Sequence, residues 1–334
     1  MKAAVIGSGS WGSAFALYLG RLKIRTKLWA REKEVLDHLV REKENKTFLP
    51  GFQFPSSVTF YSDLEETINS SDVVFVAVPS QFCRELYKRM ASHMNPEQII
   101  VSLTKGIEEK SLLTMSQLTQ NTFSRSFPLK TAVLSGPSFA KEVAQSHPTA
   151  VVIASKDIAL AKKIQCFISS PLLRCYTSTD VIGVEISGAI KNVIAIAAGI
   201  SDGLKYGYNT RAALITRGIA ELTRLGLNLK AKMETFSGLA GIGDLVLTCT
   251  GQLSRNRQVG IELGQGKNLS SIVTKMDMIA EGVTTTSSVH NLSAKMHHEM
   301  PICDQVYKVL YENKSPEDAL QDLMTRKLKD EFYS

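Results

Sequence analysis

The sequence predicts an α/β chain in which an N-terminal doubly wound parallel sheet (residues 1–180) is followed by an all-helical domain (residues 181–334). Three observations lead there. Short β-branched runs alternate with helical patterns through the first half, and a glycine-rich turn follows the first of these runs at once. After about Asp180 strand-like runs largely disappear, and apolar residues recur at helical spacing instead.

Taken in order, the candidate strands are 3–6, 26–30, 73–78, 99–103, 132–134 and 150–154. Helical patterns at 13–20, 32–45, 81–94 and 112–121 lie between several of them. Strands apolar on both faces and joined by helices belong to parallel sheets covered on both sides. Residues 47–57, with Pro50, Gly51 and Pro55, break the alternation and read as a loop. In the second half, 184–200 reads as a buried helix, with further helical spacing at 211–225 and 257–263. A helix starting near Val181 is expected to link the domains, which makes the cleft between them the natural site.

The 334 residues, 44% hydrophobic and 21% charged, suffice for two domains with cores of their own. Lys and Arg outnumber Asp and Glu by 39 to 32, and the net charge of +7 suits anionic small molecules. The basic residues are scattered, without aromatic interleaving or a long Lys/Arg run, so nucleic acid ranks well below small phosphates as a partner. Cys83, Cys166, Cys175, Cys249 and Cys303 form no C-x-x-C pair and read as reduced thiols of a cytoplasmic protein. No His/Cys/Asp grouping has zinc spacing, so no metal is expected. The first six residues read as a strand rather than an export signal. The stretch 184–200 has 17 residues with Lys191-Asn192 in its middle, which reads as a core helix rather than a membrane span.

Gly7-Ser8-Gly9-Ser10-Trp11-Gly12 is a G-x-G-x-x-G directly between a strand and an apolar helix. In that setting the first glycine permits the tight turn and the second lets backbone amides approach a pyrophosphate. The third lets helix and strand pack closely, with the helix N-terminus aimed at the anion. The second strand ends in Trp29-Ala30-Arg31 with no carboxylate before Glu32, so Arg31 favours the 2′-phosphate of NADPH over NADH; a solvated arginine at a helix start is the alternative. Lys105 and the Ser135-Gly136-Pro137-Ser138 turn follow later strands at the ends where such sheets bind ligands, an ordinary loop lysine and a plain turn being the competing readings. Gly241-Ile242-Gly243-Asp244 is a tight turn ending in an acid. Ser254 is a good N-cap for a helix that opens with Arg255 and Asn256, a start suited to a phosphate or simply a capped surface helix. The segment Ile279-Ala280-Glu281-Gly282 is uninformative from its residues alone.

Lys191 stands out most. Its stretch carries only one other ionisable group, Glu185, and a desolvated ammonium shifts its pKa readily. It is a candidate acid-base group, with a lysine snorkelling to the surface as the alternative.

Six segments in this order, GSGSWG, SLTKGIE, SGPSFAKE, GVEISGAIKNVIAIAAGISDGL, GLAGIGDLVLTCT and LSRNRQVG, closely resemble the bacterial-type NAD(P)-dependent glycerol-3-phosphate dehydrogenases. The resemblance implies a Rossmann domain followed by a helical domain like that of phosphogluconate dehydrogenases, and a homodimer; the core-helix reading of 184–200 implies no integral membrane association. It implies interconversion of dihydroxyacetone phosphate and sn-glycerol 3-phosphate for phospholipid backbones. By the same resemblance Lys191 is the proton donor and acceptor, and Lys105 touches substrate and cofactor. Gly136, Ser138, Asp244, Ser254, Arg255 and Asn256 would contact substrate; Ser10, Trp11, Arg31, Ala140, Arg255, Ile279 and Glu281 would contact NADPH. Another dehydrogenase of hydroxy acids, an NADPH-sensing binding protein and a nucleic-acid binder are the rival readings.

Overall fold

The computed structural model describes residues 1–123, 129–276 and 280–331. Along the chain, β1 (Ala3–Ile6) leads through α1 (Ser10–Arg21) to β2 (Thr26–Trp29), and α2 (Lys33–Glu42) leads to a hairpin of β3 (Glu44–Asn45) and β4 (Leu49–Gln53). Next come β5 (Val58–Tyr61), α3 (Leu64–Ile68), β6 (Val73–Val76), α4 (Ser80–Ala91), β7 (Ile99–Ser102) and α5 (Met115–Phe123). The sheet is completed by β8 (Lys130–Ser135), α6 (Ala140–Ala144), β9 (Thr149–Ala154), α7 (Ile158–Ile168) and β10 (Leu173–Ser178).

The large sheet runs β10-β9-β8-β7-β6-β1-β2-β5. Every residue of β1, β6 and β7 is buried, because helices cover both faces, and this explains their unbroken apolar runs. Strands are added outward from β1 through β2 to β5 and then, from β6, on its other side; β1 and β6 pair in parallel, and that switch point opens a crevice at the carboxyl ends of the strands.

Four expectations need correction. The sheet is not wholly parallel: β9 pairs antiparallel with β8, and β10 follows β9. The link from β8 to β9 holds only the five-residue α6, about 7.5 Å of helix, too short to carry the chain back across the sheet for a parallel return. Strands β5 and β10 were not anticipated; each sits at an edge and buries one face only, so neither shows a continuous apolar run. The expected helix 32–45 ends at Glu42, where Lys43 takes a left-handed conformation (φ 51°), and Glu44–Asn45 begin a hairpin. The segment 47–57 is therefore not merely loop: it carries β4, whose pairing with β3 alone tolerates Pro50.

From Val181 onward the named elements are helical: α8 (Val181–Gly203), α9 (Tyr208–Asn228), α10 (Met233–Phe236), a wide turn over Leu239–Gly243, α11 (Asp244–Thr250) and α12 (Arg255–Gly264). Then follow α13 (Leu269–Thr274), α14 (Glu281–Lys295), α15 (Pro301–Tyr311) and α16 (Pro316–Met324). Helix α8 has 23 residues rather than the 17 read from the pattern, so by length and composition it could cross a membrane; 94% of its apolar window is buried within the protein. It is the axis of the helical core. Helix α12 crosses it at backbone contact: a Cβ on Gly199 would lie 2.0 Å from the Arg257 carbonyl, and one on Gly260 2.1 Å from that of Ile196. This approach sets the first turn of α12 beside Lys191.

Candidate active site

Two adjoining cavities open at the carboxyl ends of the strands. The larger, about 520 Å³, is lined by Gly7, Gly9, Ser10, Trp11 and Arg31 from the first βαβ unit, and by Val78, Pro79 and Phe82 after β6. The smaller, about 370 Å³, is lined by Lys105, Ser138, Lys191, Ser254, Arg255 and Asn256 among others. Ser10, Trp11, Phe48, Leu103, Arg255 and Glu281 border both, so the two cavities adjoin.

The glycine turn behaves as its spacing predicts. Gly7 has φ +111°, and a Cβ on Gly12 would sit 1.9 Å from the Gly7 carbonyl, so α1 starts hard against β1 with its N-terminus facing the cleft. A Cβ on Gly9 would meet nothing within 4 Å, which leaves its backbone open to a close-lying pyrophosphate. Arg31 lies 5.5 Å from the Phe82 ring centre, but its Nε and Nη2 both donate to Glu32, at 3.0 and 2.7 Å. The sequence places Glu32 directly after this arginine; in the structure that carboxylate competes for the guanidinium.

At the floor of the smaller cavity, two lysines converge on one carboxylate. Lys191 Nζ donates to Asp244 Oδ1 at 2.6 Å and to Thr248 Oγ1 at 2.8 Å. Lys105 Nζ donates to Asp244 Oδ2 at 2.8 Å and to the Gly136 carbonyl at 2.9 Å. Lys191 therefore does not snorkel: it is 6% exposed, and its ammonium is held from below by Asp244, which is 1% exposed. With two N–H groups of each lysine committed, one on each remains for a ligand in the cavity. Burial pushes the Lys191 pKa down to about 8; Asp244 holds it up against that pull, while Lys105 adds to it. Burial would raise the Asp244 pKa, yet the two ammonium groups bring it below the usual carboxylate value. Burial lifts half-buried Glu281 to about 7 against the pull of Arg255, Lys105 and Lys191.

Helix α12 starts where the sequence placed it. Ser254 accepts the Arg257 N–H at 3.2 Å, so the first-turn amides stand at the cavity wall with Arg255. Asn256 Oδ1 accepts the Gly282 N–H at 2.9 Å, so its side-chain amide group is the part left to face a ligand. Arg257 is turned away, its Nε on Asp202 at 2.7 Å.

Not every expected site residue lines one of these two cavities. Neither Gly136 nor Asp244 lines either of the two cavities; both hold the lysines, and Ser138 Oγ also donates to the Gly136 carbonyl, at 2.9 Å. Gly12 is buried behind the turn. Ala140, expected against the cofactor, lines the smaller cavity, and Ile279 lies outside the described residues. Thr248 and Phe48 were missed. Thr248 follows Asp244 by four, one helical turn, and that spacing was readable. Phe48 was concealed in the supposed loop. Cys83, Cys175, Cys249 and Cys303 are buried free thiols and Cys166 is an exposed one. Among the described residues no group of three His, Cys, Asp or Glu side chains is placed to hold a metal ion.

Comparison with known proteins agrees with this geometry. Residues 2–161 match the family model for the NAD-dependent glycerol-3-phosphate dehydrogenase N-terminus, and residues 180–321 match that for its C-terminus. A glycerol-3-phosphate dehydrogenase [NAD(P)+] of Citrifermentans bemidjiense is 50% identical over 330 residues, covering 99% of this chain and 98% of the relative. Its counterpart in Geobacter sulfurreducens is 49% identical over 332 residues, 99% of each chain. The crystal structure of glycerol-3-phosphate dehydrogenase from Coxiella burnetii superposes with a TM-score of 0.94 at 39% identity, covering 97% of this chain and 99% of that one. The chain belongs to the NAD-dependent glycerol-3-phosphate dehydrogenase family.

Proposed function

We propose that the chain reduces dihydroxyacetone phosphate to sn-glycerol 3-phosphate with NADPH or NADH, and catalyses the reverse oxidation, with Lys191 as proton donor and acceptor. The observation that carries this reading is the Lys191–Asp244–Lys105 cluster, with Lys191 and Asp244 buried, beneath a cavity that adjoins the glycine-turn cleft. Gly7, Gly9, Ser10, Trp11 and Arg31 would hold the dinucleotide, with residues 1–180 as its domain and 181–334 supplying most of the substrate grip. When bound, it supplies the hydride.

The protein's own groups do the rest. Charge develops on the ketone oxygen during reduction, and the third N–H of Lys191 points the proton it needs into the cavity. The neighbouring N–H of Lys105 stabilises the same oxygen. Ser254, Arg255 and Asn256 grip the phosphate at a helix start, and that remote binding orients the carbonyl. Loss of cofactor absorbance on adding dihydroxyacetone phosphate, run with NADPH and with NADH, tests the reading; no loss with either removes it. Family resemblance supports a cytoplasmic homodimer that supplies phospholipid backbones, and sedimentation of the purified protein tests the dimer.

Two variants separate the ends of the site. Arg255→Ala should raise KM for dihydroxyacetone phosphate about 10–100-fold, the loss of one charge-assisted contact, with a much smaller change in the KM for NADH. An unchanged substrate KM would take Arg255 off the phosphate. Arg31→Glu should raise KM for NADPH about 10–100-fold and leave that for NADH far less affected. Equal effects on the two cofactors would remove the 2′-phosphate from its role.

A further inference from the structure

The hairpin β3–β4 carries a residue that reaches back into the glycine turn. Asn45, fully buried, donates through Nδ2 to the Ser8 carbonyl at 2.7 Å and to Ser13 Oγ at 2.8 Å. Its Oδ1 accepts the Phe48 N–H at 3.0 Å, and Ser13 Oγ in turn donates to the Ser8 carbonyl at 2.9 Å. Both amide protons and one acceptor site of Asn45 are thus spent on three separate pieces of structure: the turn, the first helix, and the hairpin residue that borders both cavities.

A peptide unit is planar and trans, so its N–H points opposite to its C=O. The Ser8 carbonyl is the other half of the peptide that bears the Gly9 N–H. Two donors fasten that carbonyl on the protein side, which turns the Gly9 N–H away from them, at a residue whose would-be Cβ meets nothing within 4 Å. We propose that Asn45 is a positioning residue for the dinucleotide: it presets the Ser8–Gly9 peptide to meet the pyrophosphate and holds Phe48 at the seam where cofactor and substrate meet. Preset donors cost no reorganisation when the anion arrives. The pyrophosphate is common to both cofactors, so Asn45 acts on NADPH and NADH alike, unlike Arg31. The assignment rests on the dinucleotide reading above.

The test is a fluorescence titration of the full chain with NADPH and with NADH, without substrate, beside a thermal melt. Asn45→Ala should weaken both cofactors by the same factor, about tenfold. With cofactor saturating, KM for dihydroxyacetone phosphate should move less than about twofold. A lower Tm with unchanged cofactor binding would overturn the proposal, since a merely structural asparagine gives that result. If Asn45→Ala does not fold, Ser13→Ala carries the test: it removes the second donor to the Ser8 carbonyl and should weaken both cofactors about threefold, and unchanged binding again overturns it. An unsubstituted chain that binds both cofactors yet turns over no dihydroxyacetone phosphate would defeat the proposed function and leave Asn45 standing.

Discussion

Lys191→Ala should leave a folded protein that still binds NADPH but reduces dihydroxyacetone phosphate about 10²–10⁴-fold more slowly, the usual contribution of a positioned proton donor. Folding should survive because Asp244 keeps Lys105 at 2.8 Å, so the buried carboxylate is not orphaned. Cofactor binding should survive because Lys191 lines the smaller cavity and not the glycine-turn cleft. The pH dependence gives a second check on the intact protein. Reduction uses the protonated amine, so its kcat/KM should fall as pH rises through about 8, where burial has placed the Lys191 pKa. Oxidation uses the neutral amine and should rise over the same interval. Near-normal turnover of the alanine variant would take Lys191 out of the reaction.

How much of this was legible in the sequence differs from element to element. The core strands were plain because burial on both faces forces unbroken apolar runs, as in Val73–Val76. Lys191 was plain for the complementary reason: an ammonium in such a run is costly unless it has a partner or a use. Its partner was half visible, since Asp244 ends a glycine turn, but nothing local says that this one carboxylate serves two lysines from different domains. What stayed hidden depends on long-range contact. Asn45 looks like the tail of a helix, and Pro50, Gly51 and Pro55 look like a loop, because the hairpin's anchor is the Ser8 carbonyl, 37 residues away along the chain. The reversal at β9 was hidden for a geometric reason, the brevity of α6, which apolar periodicity does not report. In the case of Arg31, the local rule found the residue and saw Glu32 beside it, but not that the two pair.

Asp244→Asn tests whether the site works as a coupled unit. The substitution keeps the shape but removes the negative charge between the buried Lys191 ammonium and the part-buried Lys105 one, and it can set an amide donor against one of them. Asp244 is the chief influence holding the Lys191 pKa up to about 8, so without it that pKa should fall further. The kcat/KM for reduction should then decline from a lower pH than in the unsubstituted protein, while oxidation keeps its neutral amine to lower pH. A mutation that only loosened the fold would leave both midpoints in place. Stability should also drop, by about 3–5 kcal/mol, because breaking a buried pair strands the charges left behind. The sign of its pH dependence follows from the Asp244 pKa lying below its ordinary value. Stabilisation of that kind is complete above the unfolded carboxylate value, about 3.9, and is lost as pH falls through the lower folded one. The stability gap between the two proteins should therefore be full at pH 7 and narrow below about pH 4. An unshifted pH–rate profile for Asp244→Asn would mean that some other group sets the proton affinity of Lys191.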